Sequence, residues 1–163
     1  GSGPNGANPH HSFSDRKLTA GDPVVVDLGG TLPSGYHSDC TRTYVVGGDV
    51  SKAPQDFQDA YAVLADAQAA ARAAAHPGST AADIDAIVRQ AISAAGWGDY
   101  FVHRTGHGIG LSTHEEPFIM EGNEFFLAMT QLFTNTFHAN FYTDFVIIFQ
   151  KDNVPLNLKW NDI

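Results

Sequence analysis

The 163-residue sequence has little with which to grip a polyanion. It carries nine Lys and Arg against eighteen Asp and Glu, a formal net charge of -9. Nucleic acids and anionic membrane surfaces both need clustered basic side chains, so neither is expected as a partner. Its single cysteine, Cys40, cannot close an internal disulfide, and the fold therefore does not depend on an oxidising compartment. No apolar run approaches the roughly twenty residues of a membrane-spanning helix, and the first residues show no basic-then-apolar leader pattern. These absences lead to the expectation of a soluble, cytoplasmic protein of one domain.

What the sequence does have is concentrated in residues 102–117, VHRTGHGIGLSTHEEP. This stretch holds His103, His107 and His114 together with Gly106, Gly108, Gly110 and Pro117. Interleaved glycines argue for a strand or bend whose backbone approaches something closely. Neutral imidazole is a common metal ligand and proton carrier near neutral pH. A polar turn with incidental histidines is the plainer reading, and what weighs against it is the presence of partners elsewhere in the chain.

Residues 24–27, VVVD, open a strand continuous enough in β-branched residues to be buried on both faces. An ionised Asp27 buried there costs roughly several kcal/mol unless a cation or donors compensate. It could equally start a turn at Gly29 and Gly30. Residues 36–46 read as the return strand of a hairpin with a long loop, with Asp39 inside it. Two carboxylates on one face suit a divalent cation, although Arg42 could neutralise either by itself. Residues 51–76 read as a helix, with Ser51 as a cap, Pro54 in the first turn, and Phe57, Tyr61 and Leu64 at helical spacing. Thr80, with Asp83 three positions on, caps a second helix whose apolar stripe is Ile84, Ile87, Val88, Ala91 and Ile92. Gly96 stops it, and residues 97–102 lead as a short strand into the histidine segment. From Glu124 onward alanine nearly vanishes, and residues 131–141 and 141–149 are strand candidates carrying His138 and Asp144. The first fifteen residues are turn chemistry, readable as a tail, in which His10 and His11 are the reactive groups.

Taken in order, VVVDLGG, GYHSDCTRTYVVG, two helices and HRTGHGIGLSTHEEP resemble the pita-bread metallopeptidases, a group that includes methionine aminopeptidases, Xaa-Pro aminopeptidases and prolidases. The Xaa-Pro branch is the most similar. SGPNGANPHH resembles the family segment that carries an active-site histidine, so the tail reading gives way to an arm at the site. The resemblance implies an α+β fold, a curved antiparallel sheet with outer helices. Residues 1–163 would be one partial catalytic domain, N-terminally truncated, with 124–163 as an atypical segment. It assigns Asp27, Asp39 and His107 to metal binding, and His10, His103 and His114 to substrate binding and proton handling. It implies a divalent cofactor, manganese or cobalt with zinc or iron as alternatives, and a short peptide substrate of Xaa-Pro type.

One departure is plain. The family completes its site with two glutamates and an arginine, whose places fall near Thr136, Thr143 and Phe141, and no glutamate follows Glu124. Fewer carboxylates around hard cations weaken their binding, the second ion most. Three readings follow: a metal-dependent exopeptidase with one ion, two or none, an inactive peptide-binding relative of the same fold, and a chain whose tail is foreign to its body. Exposed apolar surface on a partial domain adds the expectation of self-association.

Overall fold

The computed structural model describes residues 1–8 and 10–127. The strand candidates at 131–141 and 141–149, His138, Asp144, and the places of the expected glutamates and arginine (Thr136, Thr143 and Phe141) lie outside the described residues.

Two strands, β1 (Pro23–Thr31) and β2 (His37–Val45), form the expected antiparallel hairpin. Residues 32–36 connect them, a shorter loop than the sequence suggested, because β1 runs through Gly29 and Gly30 instead of turning there. At Gly29 any side chain would collide with the Ser38 carbonyl, so the glycine is what lets the two strands stay paired at this point. The expectation of a strand buried on both faces is not met. Residues 23–26 are half-buried and the rest of β1 is exposed, since nothing described covers that half of the hairpin.

The N-terminal segment docks along β1. Ser2 bridges Val24, and Gly1 exchanges hydrogen bonds with Val25 in both directions. Arg16 clamps the arrangement with a two-pronged ion pair to Asp22 (2.7 and 2.9 Å) and a bond to Ser2 Oγ.

Helix α1 (Gln55–Ala74) begins later than Ser51. Ser51 belongs instead to a short 3-10 turn, Val50–Lys52, capped by the side chain of Asp49. An aspartate two positions earlier offers a stronger acceptor for the Ser51 N–H, and Pro54 then opens α1. The buried face of α1 is Ala60, Leu64, Ala67 and Ala71. Helix α2 (Ala81–Ala94) buries Ile84, Val88 and Ile92 against it, with Phe101, Ile119 and Leu127 completing the core. Both halves of the Thr80–Asp83 capping box are present. The next two amides of α2, which have no partner within the helix, are taken up by the carbonyls of Phe125 and Asn123. Gly96, at φ +85°, ends the helix as expected. Residues 97–102 are not a strand: Gly98–Tyr100 is a 3-10 turn, in keeping with a glycine and an aspartate at its start.

The histidine segment becomes two short strands, β3 (Gly106–Gly108) and β4 (Glu115–Ile119), paired antiparallel around a bend. Among the described residues no helix is long and apolar enough to cross a membrane.

Candidate metal centre

The hairpin register decides which acids can cooperate. Asp27 stands opposite Thr41 and Asp39 opposite Gly29. Side chains alternate along a strand, so Asp27, Asp39 and Thr41 share one face, with the two acids on a diagonal. Arg42 pairs with Val26 and so belongs to the opposite face, where its guanidinium donates to the Thr41 carbonyl. The alternative in which Arg42 neutralises the acids therefore loses its geometric support.

The two acids differ in environment. Asp27 is exposed, and Thr41 Oγ1 donates to its carboxylate at 2.7 Å. The desolvation expected for it from three preceding valines does not arise. The Asp39 side chain is only 10% exposed and faces His107, itself 11% exposed, with Nε2 to Oδ2 at 3.4 Å. Asp39, not Asp27, is the acid shielded from solvent, and it faces a ring that can carry or share positive charge.

His107 is held in a defined tautomer. Its Nδ1 lies 2.8 Å from the Gly108 carbonyl; a carbonyl only accepts, so Nδ1 is the protonated nitrogen. In a neutral ring Nε2 then turns a lone pair toward a carboxylate, an arrangement that needs either a second proton or a cation between the two. The same backbone device fixes His103, whose Nδ1 meets the Arg104 carbonyl at 3.1 Å.

His114 completes the group. Its ring lies 4.3 Å from that of His107, edge to face. One donor atom each from Asp39, His107 and His114 falls within 4.8 Å of the others. His114 Nε2 is buried and has no hydrogen-bond partner among the described residues. Burial, then the neighbouring His107 and Arg104, push its pKa down to about 4, with Asp39 opposing and His103 adding slightly. It is a neutral imidazole at pH 7. The Asp39 carboxylate and the His107 ring nitrogen, facing each other, are donors that fit a divalent cation, and the partnerless Nε2 of His114 stands beside them.

The structure thus unites Asp39, His107 and His114, and places Asp27 on the same strand face. His103 lies on the segment leading into β3, half-buried. His10 is exposed on the turn after the Gly3–Ala7 3-10 turn, its backbone N–H donating to Asn8 Oδ1, and it is not part of the group.

Two features were not singled out from the sequence. His37, on the same face as Asp39, ties the hairpin to the bend: its N–H donates to the Gly110 carbonyl at 2.8 Å, and its Nδ1 contacts the hydroxyls of Thr31 and Thr113. Its place two residues before Asp39 was the available signal. The buried Asp85 forms an ion pair with the half-buried Arg89 in α2. Their i, i+4 spacing, with the acid beside the apolar Ile84 and Val88, was the clue.

Residues 1–153 match the family described as Metallopeptidase family M24. A Mycobacterium tuberculosis protein named probable dipeptidase PepE is 53% identical over 134 residues, covering 82% of this chain and 35% of that protein. The Xaa-Pro dipeptidase of Pyrococcus furiosus is 45% identical over 123 residues, covering 76% of this chain and 34% of its own length. In three dimensions the chain is similar to the crystal structure of dipeptidase PepE from Mycobacterium ulcerans, with a TM-score of 0.72 and 56% identity over 78% of this chain and 33% of that one. The chain therefore spans about a third of the length of these relatives.

Proposed function

The chain belongs to metallopeptidase family M24 and has the pita-bread fold over the portion it spans, and on that premise we propose that it serves as a metal-dependent exopeptidase acting on short peptides of the Xaa-Pro type. The observation that carries the reading is the convergence of Asp39, His107 and His114, with His107 Nε2 3.4 Å from the Asp39 carboxylate. The Xaa-Pro preference follows that of relatives named Xaa-Pro dipeptidase.

In this reading Asp39 and His107 hold the cation, and Asp27 contributes a second carboxylate from the same strand face. A divalent ion supplies a Lewis acid that brings the ionisation of water close to neutral pH. Manganese and cobalt suit the mixed carboxylate and imidazole donors, and zinc or iron would also be accepted.

The remaining histidines act on the peptide. His114, neutral at pH 7, can donate to the oxygen that gains charge as the amide carbon becomes tetrahedral. His103 exchanges a proton with the leaving nitrogen in this reading. His10, on the docked N-terminal arm, binds the substrate. Exposed Leu28, Leu32, Tyr36 and Leu111 favour self-association.

The test is elemental analysis of the dialysed protein after incubation with manganese or cobalt, with Asp39→Ala as control, followed by hydrolysis of Xaa-Pro dipeptides. Metal retained by the parent, lost in the variant, and needed for hydrolysis supports the proposal. Absence of bound metal in the parent overturns it.

A further inference from the structure

The face that α2 turns to the core contains one acid. Asp85 is 1% exposed, and its carboxylate accepts from Arg89 Nε (2.9 Å), Arg89 Nη2 (3.1 Å), the Thr105 N–H (3.2 Å) and Thr105 Oγ1 (2.6 Å). Arg89 also reaches the incoming segment, donating to the Phe101 carbonyl at 3.0 Å and the His103 carbonyl at 2.8 Å, with its guanidinium 4.7 Å from the centre of the Phe101 ring. One ion pair thus grips the backbone at 101, 103 and 105.

Such a grip is more than helix packing requires. A buried ion pair adds little stability over an apolar pair of equal volume, whereas a forked guanidinium and a doubly bonded carboxylate fix direction. Direction is what the next residues lack. His107 sits between Gly106 and Gly108 in a three-residue strand, and glycine on both sides leaves the backbone broad freedom.

We propose that Asp85 and Arg89 are positioning residues, which hold residues 101–105, His103 among them, so that the strand that follows presents His107 to Asp39. The inference rests on the metal-site reading for its purpose, but the brace is testable without metal.

The full chain would be labelled in its histidine rings and compared with Thr105→Val, Thr105→Ser and Arg89→Lys. Three quantities are read: imidazole NMR signals of the metal-free protein, cobalt affinity by calorimetry, and Tm. Thr105→Val removes one hydroxyl at constant shape, and Arg89→Lys removes the fork while keeping the charge. Both should move or broaden the ring signals of His103 and His107 while sparing His76, and both should weaken cobalt binding about tenfold or more, as loss of a partner behind a ligand does. Thr105→Ser should restore both readouts. Ring signals and cobalt affinity that stay unchanged while Tm falls would overturn the proposal and leave a purely structural ion pair. Should Arg89→Lys fail to fold, Thr105→Val decides. Should the parent bind no cobalt, the metal reading fails alone, and the ring signals still decide the brace.

Discussion

Asp39 and His107 face each other at 3.4 Å across the gap between the hairpin and the histidine strand, with the second ring nitrogen of His107 committed to the Gly108 carbonyl. A carboxylate and an imidazole lone pair tolerate that separation when a positive charge lies between them. At a manganese or cobalt concentration of a hundred times Kd, the ion should therefore stabilise the parent by about 2.7 kcal/mol. Asp39→Asn and His107→Ala should lose that increment. Thermal melts with and without metal measure it, and an unchanged increment in both variants would place the ion elsewhere.

The Arg16–Asp22 clamp makes a prediction about acid. Hydrogen bonds from the Arg16 guanidinium, then from the Thr19 backbone N–H, hold the Asp22 carboxyl well below the usual carboxylate range. A depressed folded value means the contribution is present above the unfolded pKa of about 3.9 and is lost as pH falls from there toward the folded value. Arg16 is shifted the other way, upward, by the same partner, so its share persists until strongly alkaline pH. Asp22→Asn should lower stability at pH 6 and flatten the loss between about pH 4 and pH 2. Urea unfolding at the two pH values checks this. Arg16 also holds Ser2, so amide exchange in residues 1–8 should quicken in the variant.

How much of this was legible beforehand depends on the distance over which each feature is decided. The hairpin was readable because a β-branched run and a return strand close behind it are local signals, and such a hairpin can bring Asp27 and Asp39 to one face. The Thr80–Asp83 capping box and the Ile84–Val88–Ile92 stripe were readable for the same reason. Ser51 was misplaced as a helix cap because Asp49 competes for its amide, a contest that propensity alone does not resolve. Burial of Asp27 was misjudged because three valines predict a covered strand, yet burial depends on what packs over it. The Asp85–Thr105 contact joins positions twenty residues apart, and no periodicity announces it. The same holds for His114: its spacing from His107 does not indicate that the bend folds the two rings together.

The alanine face of α1 sets how closely the two helices approach. Ala67 and Ala71 are 1% and 0% exposed and belong to the same buried cluster as Ile84, Val88 and Ile92. Ala71→Leu adds volume where none is available and should cost about 1–3 kcal/mol. Ala71→Ser, nearly equal in size, should cost less than the leucine. Denaturant unfolding of the pair separates overpacking from loss of apolar character.

Removing the cap of α2 should be milder. Thr80 Oγ1 accepts from the Asp83 N–H at 3.0 Å, and the Asp83 carboxylate returns a bond to the Thr80 N–H at 2.9 Å. Thr80→Ala breaks the first of these and should cost about 1 kcal/mol, whereas Thr80→Ser should cost far less. Circular dichroism followed through a urea titration gives both values.

The proposed roles make His114 the residue that tells holding the ion from acting on the substrate. Its Nε2 is buried without a partner and its ring is kept neutral by burial beside His107. A neutral N–H donor aimed at a developing oxyanion contributes chiefly when the amide carbon becomes tetrahedral, so its loss should appear in kcat more than in metal affinity. His114→Ala is expected to retain manganese within about tenfold of the parent while kcat on an Xaa-Pro dipeptide falls by about 10²–10³. His107→Ala should instead lose the metal and the activity together. Calorimetry with manganese, run beside steady-state kinetics on both variants, distinguishes the roles. A His114→Ala protein that gives up its metal as readily as His107→Ala would make His114 a third ligand, and the proton handling would then fall to His103.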